Sequence, residues 1–286
     1  MNIGNLYIVA TPIGNLSDIT LRALETLKSV DIVAAEDTRH SRKLFNAHNI
    51  ETALWAVHEH NEDAKSNALV EKLLSGKSVA LISDAGTPLI SDPGYRVVTR
   101  AREAGIQVYT IPGPCAAIAA LSVSGLGTDR FLFVGFLAPK TSARQKQLQE
   151  FVDERATLIV YESPRRVLGL LADILEVMGA DKVVCLAKEL TKTYETVLSG
   201  PVDSLLEQVH ANPDLQRGEF VVLISGVSKK QHDEQLVDGK TLAWVGMAQQ
   251  HLPLKKACAL VSEMTGVKKN LLYKAALKGK EPSGDS

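Results

Sequence analysis

Leu6-Tyr7-Ile8-Val9-Ala10-Thr11-Pro12-Ile13-Gly14-Asn15 begins as an apolar run and breaks at a turn marked by proline and glycine. The same pattern returns at Val79-Ala80-Leu81-Ile82-Ser83-Asp84-Ala85-Gly86-Thr87-Pro88 and at Val108-Tyr109-Thr110-Ile111-Pro112-Gly113-Pro114-Cys115. Runs so continuous in Val, Ile, Leu and Ala belong to strands of a parallel sheet covered by helices on both faces. Open sheets of that kind bind ligands just beyond their strand ends. The three turns therefore predict one ligand site.

Outward from these turns, apolar runs at 6–11, 31–35, 52–57, 78–83 and 107–111 alternate with segments of helical spacing at 20–29, 38–47, 62–75, 92–104 and 113–123. Thr20 is placed to cap the first helix, with Leu21, Leu24, Leu27 and Lys28 as a one-sided stripe. Residues 1–123 are thus expected to form one α/β domain, closed by the small and polar stretch Ser122–Asp129. A second α/β domain, 129–226, is expected from runs at Phe131–Leu137, Thr157–Tyr161, Lys182–Ala187, Glu195–Leu198 and Phe220–Ile224, with helical stretches including Pro164–Met178 and Val202–Val209. Only Thr191–Tyr194 separates two of those strands, so part of this sheet should be antiparallel. Two such domains enclose one cleft.

Composition changes after the polar linker Gly226–Asp238. From Lys240 to Lys280 there are eight lysines and a single acid, Glu263. A helix is expected at Leu242–Gln250. Leu254, Ala257, Cys258, Val261 and Met264 make an apolar face that throws Lys255 and Lys256 outward. After Thr265-Gly266-Val267 a further helix turns Leu271, Leu272, Ala275 and Ala276 inward and leaves Lys268, Lys269, Lys274 and Lys278 outside. Residues 237–280 thus read as a basic all-helical domain resembling a helix-turn-helix. A solvated helical cap on the second domain fits the same pattern.

A chain of 286 residues with 45% hydrophobic and 5% aromatic residues has the material for two ordinary domains. Its net charge of −1 excludes attraction of the whole molecule to nucleic acid and leaves room for a local patch. Cys115, Cys185 and Cys258 are too few and too scattered for a disulfide framework or a zinc cluster. No run approaches 18 apolar residues and the start lacks a leader pattern, so a cytoplasmic protein without membrane contact is expected.

The first turn is not Gly-x-Gly-x-x-Gly and no Gly-x-x-x-x-Gly-Lys-Ser/Thr occurs, which disfavours nicotinamide cofactors and phosphate-loop nucleotidases. Asp84 stands one residue past a buried strand, where it can accept hydrogen bonds from a ribose or an amine or simply brace the turn. Gly86 lets a ligand approach the backbone. Asp92-Pro93 reads as an N-cap followed by proline at the first helical position. The small residues after Cys115 leave space for a flat ligand, or for close packing of helix on sheet.

These turns stand in order with Ala35-Glu36-Asp37-Thr38-Arg39, Tyr161-Glu162-Ser163-Pro164-Arg165-Arg166, Lys188-Glu189-Leu190-Thr191-Lys192 and Gly218-Glu219-Phe220-Val221-Val222-Leu223-Ile224. Together they resemble the tetrapyrrole methylase superfamily through about residues 5–225, and within it the ribosomal RNA small subunit methyltransferase I family, the 16S ribosomal RNA cytidine 2′-O-methyltransferases. The basic tail is similar to that family's C-terminal extension. The resemblance implies two α/β domains of the tetrapyrrole methylase type, S-adenosylmethionine in the cleft, a homodimer, and a cytidine of the decoding region in the small ribosomal subunit as target. It also implies that Pro12, Asp84, Ala85, Gly86, Ile90, Cys115 and Ala116 line the cofactor site. The Thr-Pro-Ile-Gly-Asn turn departs from the glycine-rich loop of the small-molecule members, which favours RNA over a tetrapyrrole.

Methyl transfer to a ribose oxygen is an in-line displacement that needs alignment, exclusion of water and a late proton acceptor, and needs no metal. On that fold, Lys188 and Glu189 are expected to orient and activate the hydroxyl, with Asp37 and Arg39 holding the target nucleotide. Arg165 and Arg166 are expected on phosphate. Interdomain ion pairing is the structural alternative for all of them. Lys255, Lys256, Lys268, Lys269 and Lys274 are expected to anchor RNA; DNA is not an expected partner. A tetrapyrrole-type small-molecule methyltransferase and a non-catalytic ribosome-assembly factor are the rival readings, the first leaving the tail lysines without a use and the second leaving the three turns without one.

Overall fold

The computed structural model describes residues 3–57, 62–227, 237 and 239–278. β1 (Leu6–Val9), β2 (Ile32–Ala35), β3 (Ala53–Ala56), β4 (Val79–Ile82) and β5 (Val108–Ile111) form an all-parallel sheet in the order β3-β2-β4-β1-β5. β2 and β4 are buried at every position, as continuous apolar runs require. α1 (Leu21–Ser29) and α2 (Thr38–Ala47) cover one face through Leu27, Leu44 and Phe45. α3 (Glu62–Leu74) and α4 (Tyr95–Glu103) cover the other through Leu69, Leu73, Val97 and Ala101. The chain thus reverses its direction of travel beside β1 and β4, and the ligand crevice of such sheets lies at that point.

Two local expectations are corrected here. Thr20 does cap α1, accepting the Ala23 N–H at 3.1 Å, but Leu21 is 79% exposed. The buried arc centres on Ala23 and Leu27, and Leu21 lies on the far side of the helix. α4 starts at Tyr95, behind Gly94 with its φ of 124°, so Asp92-Pro93 is neither cap nor first turn.

α5 (Ala116–Val123) follows β5 but does not pack on its own sheet. Ala117, Ala120 and Leu121 pack against Ile159, Cys185, Ala187, Val221 and Leu223 of the second sheet. That sheet comprises β6 (Phe131–Phe136), β7 (Thr157–Glu162), β8 (Val183–Lys188), β9 (Thr196–Pro201) and β10 (Phe220–Ile224), ordered β6-β7-β10-β8-β9. β6 and β7 are parallel and every other pairing is antiparallel, the mixed arrangement expected from the short 191–194 connection. Its outer face is covered by α6 (Thr141–Gln149), α7 (Val167–Met178) and α8 (Val202–Ala211).

Under that outer layer the Arg144 Nε donates to Asp173 Oδ2 at 2.5 Å, both side chains being 5% exposed, and Gln145 Nε2 donates to Asp173 Oδ1 at 2.8 Å. Removing one member of a buried pair strands the other charge. Arg144→Met is therefore expected to lower stability by about 3–5 kcal/mol, read as a fall in urea midpoint; an unchanged midpoint would show that Asp173 is satisfied without it.

The tail consists of α9 (Gly239–Gln249), α10 (Leu254–Thr265) and α11 (Lys269–Lys278) around a separate core of Val245, Cys258, Val261, Val267 and Leu272. Gly266, in the left-handed region at φ 74°, closes α10. Met264 lies at the edge of the buried face and is 66% exposed, against expectation. Residues 228–236 and 238 of the expected linker, and Lys280, fall outside the described residues.

Candidate active site

The three turns identified in the sequence are tied to one another. Thr11 and Gly86 exchange two backbone hydrogen bonds, of 2.9 and 3.0 Å, and Thr87 Oγ1 donates to the Pro114 carbonyl at 2.9 Å. Gly86 has φ of 80°, and a Cβ there would meet Ile13 Cγ2 at 3.1 Å. A side chain at this position would be strained and would crowd Ile13.

Above the turns lies a cavity of about 390 Å³ between the two domains. The first domain supplies Ile13, Asp84, Ala85, Gly86, Thr87, Ile90, Ser91, Asp92, Cys115 and Ala116. The second supplies Phe136, Tyr161, Glu162, Ser163, Pro164, Ala187, Leu190, Glu219, Phe220 and Val221. Of the seven residues expected on a cofactor, Asp84, Ala85, Gly86, Ile90, Cys115 and Ala116 face this space. Pro12 does not: Ile13 takes the inward position of the turn, and Pro12 lines a neighbouring cavity of about 200 Å³ under α2.

The carboxylates without an ion pair lie on the first-domain side, since Glu162 and Glu219 of the second domain are paired with Arg166 and Lys192. Asp84 Oδ1 accepts the Asp37 N–H at 3.0 Å, fastening the end of β4 to the end of β2. Burial raises the Glu36 carboxyl above its ordinary range, and the charges of Asp84 and Asp92 raise it further. Burial likewise raises Asp92, against a hydrogen bond from Ser83, and the Asp84 charge adds to the rise. The local sequence assigns Asp92 to a helix cap; with Gly94 in the capping position, its half-buried carboxyl faces the cavity instead.

Tyr161 carries no role in the sequence pattern, yet it joins the domains. Its hydroxyl oxygen accepts the Ala117 N–H at 3.1 Å, at the start of α5, and burial lifts its pKa to about 12. Phe133 and Phe136 pack edge-on to its ring. A second joint lies nearby: the Asn15 N–H donates to Thr191 Oγ1 at 3.1 Å, and Gly14 sits so close that a Cβ would be 2.5 Å from Lys192 Cγ.

None of the expected acid-base residues stands on the cavity wall. Asp37 caps α2 and is gripped by Arg39, whose guanidinium hydrogen-bonds both carboxylate oxygens at 3.2 and 2.9 Å and holds the carboxyl down to about 2. Lys188 pairs in register with Phe220 and is 7% exposed, on the sheet face shared with Leu186 rather than Ala187. Strand alternation makes that outcome inevitable once Ala187 faces the cavity. Glu189 has φ of 52°; burial raises its carboxyl, but Lys192 at 2.9 Å and the Glu219 N–H at 2.9 Å outweigh burial and hold it below its ordinary range.

Arg166 is turned inward as well, contacting Glu162 Oε2 at 3.1 Å and donating to the Leu137 carbonyl at 2.7 Å. Arg165 is exposed beside Pro164 at the cavity mouth. In the tail, Lys255, Lys256, Lys268, Lys269 and Lys274 are all exposed. Among the described residues no cluster of His, Cys, Asp and Glu is arranged for a metal, and no helix is long and apolar enough to cross a membrane.

Comparison with known proteins fits this geometry. Residues 5–206 match the family model for Tetrapyrrole (Corrin/Porphyrin) Methylases, and residues 236–280 match that for the RsmI C-terminal HTH domain. The chain is 50% identical over 274 residues to ribosomal RNA small subunit methyltransferase I of Pasteurella multocida, covering 96% of this chain and 97% of that one. It is 51% identical over 274 residues to the protein of the same name from Escherichia coli O157:H7, covering 96% and 95%. Among solved structures, uroporphyrin-III-C-methyltransferase from Thermus thermophilus shares the fold with a TM-score of 0.56 at 22% identity, over 78% of this chain and 94% of that one. Diphthine synthase does so with a TM-score of 0.60 at 15% identity, over 78% and 90%. The chain belongs to the tetrapyrrole methylase family and, within it, to the ribosomal RNA small subunit methyltransferase I family, methyltransferases whose methyl donor is S-adenosylmethionine.

Proposed function

We propose that this protein methylates the ribose 2′-oxygen of a cytidine in the decoding region of 16S ribosomal RNA, acting in the cytoplasm as a homodimer on the small ribosomal subunit. The observation that carries the reading is the polarity of the 390 Å³ cavity. Asp84 and Asp92 stand on one wall without an ion pair among the described residues, while on the other wall Glu162 and Glu219 are paired with Arg166 and Lys192 beside the apolar Ala187, Leu190 and Val221. Half-buried carboxylates without a counter-charge suit a cationic ligand with an apolar body. S-adenosylmethionine has that character and, when bound, supplies a methyl group on a sulfonium.

Asp84, Ala85, Gly86, Ile90, Cys115 and Ala116 hold it from the first domain. The second-domain wall excludes water, so the residues mainly align donor and acceptor. Asp37 and Glu189 act as positioning residues at the rim: Asp37 orders α2 through Arg39, and Glu189 fixes the 189–195 turn through Lys192, while Lys188 lies on the opposite face of the second sheet. Arg165 and the five exposed tail lysines take RNA phosphates, a salt-dependent contact carrying little sequence information.

The direct test incubates the protein with tritiated S-adenosylmethionine and small subunits from cells lacking it, followed by nucleoside analysis. Label in 2′-O-methylcytidine is expected; cofactor binding without label would point to a small-molecule acceptor. Acidification gives a second check. Because Glu36 and Asp92 are raised, they protonate before ordinary carboxyls as the pH falls, and the cavity loses negative charge. As the pH falls from neutrality toward the carboxylate range, the preference for S-adenosylmethionine over the net-neutral S-adenosylhomocysteine should shrink. Calorimetric titration of both ligands reads it, and parallel pH profiles would show that these carboxyls do not sense the sulfonium.

A further inference from the structure

The second cavity, of about 200 Å³, opens between the turn after β1 and α2. It is too small for a whole cofactor, since ligand sites of that size class run to about 300–1,000 Å³, but has room for a single nucleoside unit. Pro12, Leu16, His40, Lys43, Ser83 and Asp84 contribute to its walls, and Asp84 is the residue it shares with the larger cavity. The Thr11–Gly86 bridge, reinforced by Thr11 Oγ1 donating to the Ser83 carbonyl at 3.4 Å, ties a wall residue of the smaller cavity to one of the larger.

The charge around this opening differs from that inside the larger cavity. α2 carries Arg39, His40, Arg42 and Lys43 and no acid over Thr38–Ala47. Arg39 is occupied by Asp37. Arg42 and Lys43 are exposed and make no ion pair with a described residue. Helical spacing sets His40 and Lys43 on the cavity lip and turns Arg42 to the far side of α2. An unengaged cation and a histidine on the lip of a nucleoside-sized opening match a nucleotide turned out of its strand, with a flanking phosphate on Lys43 and the base against flat or apolar surfaces such as His40, Pro12 and Leu16.

We infer that this smaller cavity seats the target pyrimidine nucleotide, with Lys43 holding a flanking phosphate, so that the acceptor ribose meets the methyl donor beside Asp84. The inference rests on the RNA reading above and gives Pro12 to the nucleotide rather than to the cofactor. The full-length protein, saturated with S-adenosylhomocysteine, is titrated with a short pyrimidine-rich single-stranded RNA by fluorescence anisotropy. Lys43→Glu and, separately, the cavity-filling Leu16→Trp at a half-exposed site are compared with wild type. S-adenosylmethionine affinity and the kinetics of subunit methylation are measured in parallel.

At least tenfold weaker RNA binding and a raised KM for subunits in the charge variant are expected. A tenfold loss of kcat/KM is expected in Leu16→Trp, with cofactor affinity within twofold of wild type throughout. Wild-type RNA binding in both variants, no RNA binding by the wild-type protein, or loss of cofactor affinity matching the loss of RNA would each overturn the inference. Should wild type bind the RNA through these residues yet leave subunits unlabelled, the assignment of the reaction fails and the nucleotide seat stands.

Discussion

Asp84→Asn is expected to weaken S-adenosylmethionine binding by roughly 10- to 150-fold, the equivalent of the ~1.5–3 kcal/mol that a charged hydrogen-bonding partner contributes. The asparagine oxygen can still accept the Asp37 N–H that the carboxylate takes at 3.0 Å, so the ends of β2 and β4 stay together and only the charge is removed. The substitution acts where both cavities meet, so turnover at saturating cofactor should fall too. Asp84→Ala removes the acceptor as well and should lower thermal stability, which Asp84→Asn should not. Titration calorimetry with the donor and with S-adenosylhomocysteine separates the effects: the charge matters for the sulfonium and much less for the neutral thioether. Equal loss for both ligands would mean that Asp84 serves only to shape the turn.

Removing residues 236–286 should weaken binding to small ribosomal subunits at least ~100-fold while leaving cofactor affinity unchanged. The tail core of Val245, Cys258, Val261, Val267 and Leu272 contains no residue of the other cores, so none of those cores loses a member with it. The five exposed lysines expected on RNA go with it. Each phosphate that is no longer neutralised flattens the plot of log affinity against log salt by about 0.7–0.9, so the slope should drop by about 3.5–4.5 if all five engage RNA. A fall in cofactor binding equal to that in RNA binding would instead identify the tail as a cap that stabilises the second domain.

The parallel first sheet was legible because its central strands β2 and β4 are buried on both faces, and such strands announce themselves as unbroken apolar runs. The helical tail was legible because its lysines and apolar residues segregate at helical spacing. Asp92 was not, because Asp-Pro is a good helix opening on local grounds and only the left-handed backbone at Gly94 displaces the start of α4. Lys188 suggests a cleft-facing residue because it ends a strand beside a conspicuous Glu. Alternation decides its direction, and alternation can be phased only once Ala187 is known to face α5. Tyr161 is silent in the sequence since its partner, the Ala117 N–H, lies 44 residues earlier in the other domain. Local pattern yields elements and their ends; the pairing of ends across two domains depends on how the sheets are set against each other.

α5 is, in effect, on loan. It is chained to β5 of the first domain, packs among the inner side chains of the second sheet, and its first turn is closed by the Tyr161 hydroxyl. Swinging the two halves apart as rigid bodies would drag this helix out of an apolar bed and leave the Ala117 N–H bare. By the same token the two halves share one thermodynamic fate, melting together where their sequences alone would have allowed them to melt apart.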